Sequence, residues 1–417
     1  MWPIERGFSR RAVLARSAVA TLVAAAPALS GPAKSAYTAD QRRLRLDRVI
    51  DRAIAERRIV GSVVLVMQDG EVVYRRAAGH ADREANRPMR EDAMFRLASL
   101  SKPIVSAAAM ALVERGRLDP QDPVTKWLPD FRPQTSDGRV PAITIHHLLT
   151  HTAGLSYGFL QPPDGSYQRA GVSDGLDRSG IDLDEEVRRI AAASLVYEPG
   201  TRWGYSLATD VLGAVIARAA GEPLPDALRR LVTAPLAMAD TGFLVDDGAR
   251  LAVPYLNGKP EPARMQDPQL VPFRGAGIIR MSPSRVFDRA SFASGGAGLV
   301  STASDYARFA EALRLGGGPV LKTSTVQQIT TNQIVDLSPT GLPAWGFGYG
   351  AIVLKDSVLA KSPQAAGTWT FNCAYGQSFF VDPQQKLAVI AFTNTALEGG
   401  FGAFPVEIRD AVYGRGE

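Results

Sequence analysis

A single cysteine, Cys373, stands in the whole sequence, so no disulfide can form within the chain. Many exported proteins use disulfides, but a chain that folds before it is exported has no such need. Histidine is nearly as scarce. His80, His146, His147 and His151 all precede Ser156. That excludes the chemistry otherwise suggested by Gly154-Leu155-Ser156-Tyr157-Gly158, a match to the G-x-S-x-G nucleophile elbow. There the histidine base follows the serine, and the serine itself follows a strand, which this segment also lacks. His147 and His151 stand at a spacing that can bind metal, yet no His-Glu-x-x-His and no Cys/His cluster offers further ligands. They read as residues packing a helix-to-loop junction, and no metal or other cofactor is expected.

Basic tracts are missing from the body of the chain. Of the formal +5, residues 1–36 carry +4 (Arg6, Arg10, Arg11, Arg16 and Lys34 against Glu5), which leaves +1 for the rest. Nucleic acid is therefore not an expected partner. Long apolar runs are missing as well, except from Ser17 to Leu29. That run follows Ser9-Arg10-Arg11-Ala12-Val13-Leu14, a twin-arginine pattern, and contains two small-residue cleavage sites, Ala26-Pro27-Ala28 and Ala28-Leu29-Ser30. It is too short for a convincing transmembrane helix. Residues 1–36 thus read as an export signal, and the mature chain as a periplasmic or secreted protein with no stable membrane span.

What is present centres on Phe95 to Val105, which reads F-R-L-A-S-L-S-K-P-I-V. Ser99 precedes Lys102 by three residues, so a helix starting here places hydroxyl and amine on one face. Pro103 is tolerated only near a helix start, which puts Ser99 where free N–H groups and the helix dipole favour negative charge. No other lysine in the chain has a serine three residues before it. Lys102 also opens an almost wholly apolar segment, an odd place for a solvated lysine. A lysine serves as a base only when neutral. Holding one neutral at pH 7, against a reference value near 10.4, takes about 4–5 kcal/mol of burial or neighbouring charge. A nearby tyrosine would complete a proton relay.

In chain order, Asp40–Ile59 reads as an amphipathic helix, then Gly61–Gln68 and Glu71–Ala77 as a hairpin around Asp69-Gly70. From about 104 to 315 the chain is helical and loop-rich, with short helices at Ile143–Thr150, Thr209–Ala219 and Ser304–Leu313. Tyr157–Asp182 and Val253–Phe292 lack clear periodicity and read as long functional loops walling a substrate site. Strands return at Gly348–Leu354, Ser378–Val381 and Leu387–Thr393, before a closing helix at Phe404–Tyr413.

Several ordered motifs together resemble the serine β-lactamase and penicillin-binding-protein superfamily, in its class C and β-lactamase-like esterase branch. Phe95 to Pro103 resembles the family's Ser-x-x-Lys helix start, and Leu148 to Leu155 (L-L-T-H-T-A-G-L) its next signature. Glu198 to Ser206 is similar to the segment carrying the family's Tyr-x-Asn element, and Gly295 to Asp305 to a further structural segment. The resemblance implies an α/β (α+β) fold: an antiparallel sheet flanked by helices, with an inserted, mostly helical lobe. It assigns 37–417 to one catalytic domain, with an α/β lobe from 37–100 and 316–417 and a helical lobe from 101–315.

By the same resemblance Ser99 attacks a carbonyl, Lys102 and Tyr205 handle the proton, and the backbone N–H groups of Ser99 and Ala374 bind the oxyanion. Two departures bear on the substrate. Leu207 stands where the family has the amide of Tyr-x-Asn. Phe371-Asn372-Cys373 stands where β-lactamases have Lys-Thr-Gly, so the lysine that would anchor a β-lactam carboxylate is missing. Leu207, Phe371, Asn372 and Cys373 are the expected pocket residues. The chain therefore reads as an exported serine hydrolase acting through an acyl-enzyme on small-molecule carboxylic esters, an esterase or acyltransferase. A β-lactamase or D,D-peptidase-type amide hydrolase and a catalytically weak cell-envelope binding protein are the alternatives.

Overall fold

A computed structural model of the chain describes residues 32–273 and 277–415. The export-signal reading at 1–36 lies outside these residues, apart from its last few, which fall in the first helix. Helix α1 (Pro32–Ala55) leads into β1 (Gly61–Gln68), β2 (Glu71–Asp82), β3 (Arg87–Pro88) and β4 (Met94–Arg96). A 3₁₀ turn at Ala98–Leu100 opens α2 (Ser101–Glu114). There follow α3 (Ile145–Thr150), α4 (Ser166–Arg169), α5 (Leu183–Ala192), α6 (Ala208–Ala220) and α7 (Leu224–Leu228). Next come β5 (Tyr255–Leu256), β6 (Ala263–Arg264), β7 (Gln269–Phe273), β8 (Gly277–Met281), β9 (Val300–Thr302), α8 (Ala303–Arg314) and α9 (Thr323–Thr330). The chain closes with β10 (Trp345–Phe347), β11 (Ile352–Leu354), β12 (Trp369–Asn372), β13 (Gln377–Asp382), β14 (Leu387–Thr393), β15 (Thr395–Ala396), α10 (Glu398–Phe401) and α11 (Phe404–Tyr413).

The main sheet has eight strands in the order β10-β11-β12-β13-β14-β1-β2-β3, and every pairing in it is antiparallel. Strands from the two ends of the chain meet at its centre, where Val64 faces Ala391 and Leu65 faces Ile390. The β1–β2 hairpin turns on Asp69 (φ 52°) and Gly70 (φ 90°), the left-handed pair that Asp-Gly supplies cheaply. Side chains along the strands alternate between two cores. Val64, Val66, Phe380 and Val389 pack with Leu46 and Ile50 of α1 and Phe404 and Ile408 of α11. Val63, Leu65, Ile390 and Phe392 belong to the other core, where Tyr306 of α8 meets Phe379 and Phe392. Each large apolar side chain so buried contributes about 1.5–3 kcal/mol. The result is a mixed α/β fold, an antiparallel sheet with helices on both faces.

Two expectations change. Gly348–Leu354 is not one strand: β10 and β11 flank a turn at Gly348–Gly350, where Gly350 (φ 92°) packs so close to α2 that a Cβ would lie 2.3 Å from Ser106 Oγ. Val253–Phe292 is not loop throughout, because β5 to β8 lie within it. The β7–β8 hairpin escapes the sequence pattern because Pro272 and Gly277 break the alternation.

Candidate active site

The Ser99 turn is pinned on three sides. Upstream, β4 pairs with β9, and Leu97 N donates to Leu299 O at 2.8 Å. The buried Arg96 guanidinium donates to the carbonyls of Pro283 (2.6 and 2.9 Å) and Ala252 (3.1 Å). Downstream, Leu299 N donates to Ser101 Oγ at 3.1 Å and Tyr306 OH to Leu100 O at 3.2 Å. Between these anchors Ala98 takes φ 41°, a left-handed conformation that costs a non-glycine residue about 1–3 kcal/mol. The anchors hold that strain, and Ser99 is left partly exposed where α2 is about to begin. Residues 101–112 of α2 are all buried, and the helix packs against α6, which the small side chains of 106–109 permit.

Ser99, Lys102 and Tyr205 come together as their spacing and the family resemblance led one to expect. Tyr205 OH donates to Ser99 Oγ at 2.6 Å. Lys102 is fully buried, and its Nζ donates to Gly296 O at 2.8 Å. The same Nζ stands 4.6 Å from the centre of the Tyr205 ring and 5.4 Å from that of Tyr157. Tyr205 is packed by His151, Tyr157, Trp203 and Phe371, with ring centres 5.0–6.3 Å away.

Several neighbours escaped the sequence reading. Asp210, in the first turn of α6, is fully buried and accepts from Ser294 Oγ (2.6 Å) and Gly296 N (3.3 Å). Its other oxygen, Oδ2, has no hydrogen-bond partner among the described residues. Burial raises the Asp210 carboxyl above its ordinary value, against the pull of the Ser294 hydrogen bond and of Lys102. Gly296 must be glycine, since a Cβ there would lie 2.4 Å from Asp210 Oδ2. Burial, and then the charge of Lys102, lowers His151 well below its ordinary value, so this ring is neutral. Its Nδ1 lies 3.1 Å from Ser206 Oγ, a packing role rather than a ligand's. Ser156, the other candidate nucleophile, is buried, and its hydroxyl donates to Tyr157 O at 3.2 Å. Among the described residues no group of His, Cys, Asp and Glu could hold a metal ion.

The expected pocket residues divide. Phe371 reaches the site, its ring 6.2 Å from Tyr205. Asn372, the next residue of β12, instead lines a separate cleft with Thr370, Ser378, Phe380 and Ile408, beneath α11 on the opposite face of the sheet. A one-residue step along a strand reverses the side chain's face. Cys373 does not narrow the site: its thiol is fully buried and donates to Gln377 Oε1 at 2.8 Å. Burial pushes that thiol up to about 12. Leu207, at the N-cap of α6, is completely buried. Ala374 follows β12, and its carbonyl accepts from Leu397 N at 3.1 Å.

Comparison with known proteins gives a consistent result. A family model described as Beta-lactamase matches residues 46–409. Esterase EstB of Burkholderia gladioli is 50% identical over 373 residues, covering 89% of this chain and 95% of the relative. Among solved structures, EstCE1, described as a hydrolase with promiscuous acyltransferase activity, superposes with a TM-score of 0.88 at 42% identity. It covers 90% of this chain and 100% of its own. The octameric penicillin-binding protein homologue from Pyrococcus abyssi shares the fold, with a TM-score of 0.67 at 20% identity over 89% of this chain and 77% of its own.

Proposed function

The chain belongs to the Beta-lactamase family and is an ester-acting serine hydrolase, and from that premise we propose that it works through an acyl-enzyme on Ser99. The observation that carries the proposal is the 2.6 Å hydrogen bond between Tyr205 OH and Ser99 Oγ, set beside a fully buried Lys102. Ser99 Oγ attacks the ester carbonyl carbon while its proton passes to the Tyr205–Lys102 pair. The backbone N–H groups of Ser99 and Ala374 receive the charge on the carbonyl oxygen; such a donor is typically worth about 10²–10³ in rate. The proton then goes to the departing alkoxide. Water, or a second alcohol, takes up the acyl group and frees Ser99, so hydrolysis and acyl transfer share one intermediate.

Esters suit this site better than amides. Leu207 supplies no side-chain amide to contact an acyl-amide group, and no lysine stands at Phe371 to hold a carboxylate. Intact-mass spectrometry with a fluorophosphonate tests the proposal. One adduct in wild type and none in Ser99→Ala is expected, with turnover of a short nitrophenyl ester and negligible turnover of a chromogenic cephalosporin. Fast cephalosporin hydrolysis overturns the preference for esters. A folded wild-type protein with neither adduct nor turnover overturns the catalytic assignment and favours a binding role.

We further propose that the chain is exported through its twin-arginine leader. Residues 1–36 carry that reading, and it predicts retention of the Arg10→Lys, Arg11→Lys double variant in the cytoplasm on cell fractionation.

A further inference from the structure

Upstream of the Ser99 turn lies a cavity of about 410 Å³, none of whose lining residues belongs to the catalytic group. Arg96 of β4, Arg87 of β3 and Arg264 of β6 all line it. Arg96 is only 8% exposed. An arginine buried to that degree is ordinarily paired with an acid. Among the described residues Arg96 meets carbonyls instead: Nε and Nη2 donate to Pro283 O, and Nη1 to Ala252 O. A guanidinium carries more donors than that, so an N–H on each of Nη1 and Nη2 is left over. Arg87 is likewise held by carbonyls, Nη1 donating to Ala249 O (2.7 Å) and Nη2 to Leu251 O (2.8 Å).

Two acids line the same cavity, and both are engaged. Asp82 accepts from Arg264 Nη2 at 3.4 Å on one oxygen and from Ala85 N at 3.2 Å on the other. Asp267 accepts from Ser284 N at 2.7 Å. Three arginines against two acids leave the lining with one positive charge in excess. Burial lowers the Arg96 guanidinium from its ordinary value, and Tyr375 and Asp267 offset that only in part. Apolar side chains, among them Leu251, Met265 and Phe287, make up much of the remaining wall. The volume falls in the range of small-ligand sites, roughly 300–1,000 Å³. Spare guanidinium N–H groups beside apolar side chains suit a carboxylate that carries an apolar body.

We propose that this cavity is a second binding site, taking an organic carboxylate whose oxygens meet Arg96 and Arg87 and whose apolar body lies against Met265 and Phe287. Nothing in this site depends on the Ser99 acyl-enzyme, yet the two are joined through the chain. Arg96 stands three residues before Ser99. Its guanidinium carbon lies 5.9 Å from the centre of the Tyr375 ring, and Tyr375 directly follows Ala374. An occupant held by Arg96 therefore braces both segments that carry the proposed oxyanion donors. Acids of this class are also what ester hydrolysis releases, so product can occupy the site.

Thermal unfolding and titration calorimetry with sodium hexanoate test the proposal, against acetate, phosphate and chloride at matched ionic strength. Hexanoate should raise the thermal midpoint saturably and more than acetate does, while phosphate and chloride leave it unchanged. Arg87→Gln should weaken hexanoate at least about tenfold, the usual worth of a charged hydrogen bond, and Arg87→Lys should weaken it less. Phe287→Ala should weaken hexanoate but not acetate. Arg96 itself is left in place, because it also pins the Ser99 turn. Ser99→Ala should bind hexanoate as well as wild type does, so this site and the catalytic assignment fail separately. No midpoint rise in wild type overturns the proposal, as does an equal rise with phosphate or chloride. An affinity unchanged in both Arg87→Gln and Phe287→Ala places the acid elsewhere and overturns it too.

Discussion

Tyr205 is packed by four rings and by Lys102 Nζ over its own ring, with its hydroxyl held against Ser99 Oγ at 2.6 Å. Removing that oxygen leaves the packing untouched and breaks only the proton path. Tyr205→Phe should lower kcat for a nitrophenyl ester by about 10²–10⁴, the usual worth of a positioned acid–base group, with KM nearly unchanged. Steady-state kinetics decides it, and a loss below tenfold would place proton transfer elsewhere. The Ser99–Lys102 pair could be found from spacing because both residues share one helix start. Gly296 O and Asp210 could not, because their contacts join residues 194 and 86 positions apart in the chain. A sequence read in one dimension holds no trace of such a meeting.

Helix α5 carries a fault line of its own. Glu186 is fully buried on its inner face, where Ser173 N donates to Oε2 at 3.2 Å and Oε1 has no hydrogen-bond partner among the described residues. Burial raises this carboxyl from 4.5 to about 8, and raises nearby Asp174 from 3.8 to about 7. Between those limits the folded chain holds protons that the unfolded chain has lost. Stability should therefore fall as pH rises from about 4.5 to 8. Glu186→Gln mimics the neutral acid, so it should flatten the slope of thermal midpoint against pH and be the more stable protein at pH 8. An unchanged slope would mean that Glu186 is ionised when folded. Elements with strong local signals were legible in the sequence: α8 almost to the residue, and the Asp69-Gly70 hairpin at its turn, though β2 runs on to Asp82 beyond the expected Ala77. The β7–β8 hairpin and the β10–β11 break were not, since glycine and proline erase the alternation although each pairing is local.

Across the whole molecule, the α1 end of the chain is tied to the C-terminal helices: Arg45 of α1 donates to Ala411 O of α11 at 2.9 Å, and Arg58, just after α1, reaches both α10 and α11. Arg58 donates to Glu56 (2.9 Å), to Glu398 at the start of α10 (2.9 Å) and to Glu407 of α11 (2.8 Å). These carboxylates hold its guanidinium above its usual range, though burial pulls the other way. A partly exposed network of this kind is worth roughly 1–2 kcal/mol. Arg58→Ala should lower the thermal midpoint by a few degrees, with the difference shrinking at high salt; a salt-independent loss would point to packing instead. The same union of chain ends governs synthesis. β1 emerges from the ribosome early and has one neighbour in β2, but its other edge waits for β14, since residue 64 pairs with residue 391. Until then a nascent chain exposes an apolar strand edge ready to pair with a stranger. A premature stop anywhere before β14 removes a central strand rather than trimming a border, so truncated products should be aggregates and not weak enzymes.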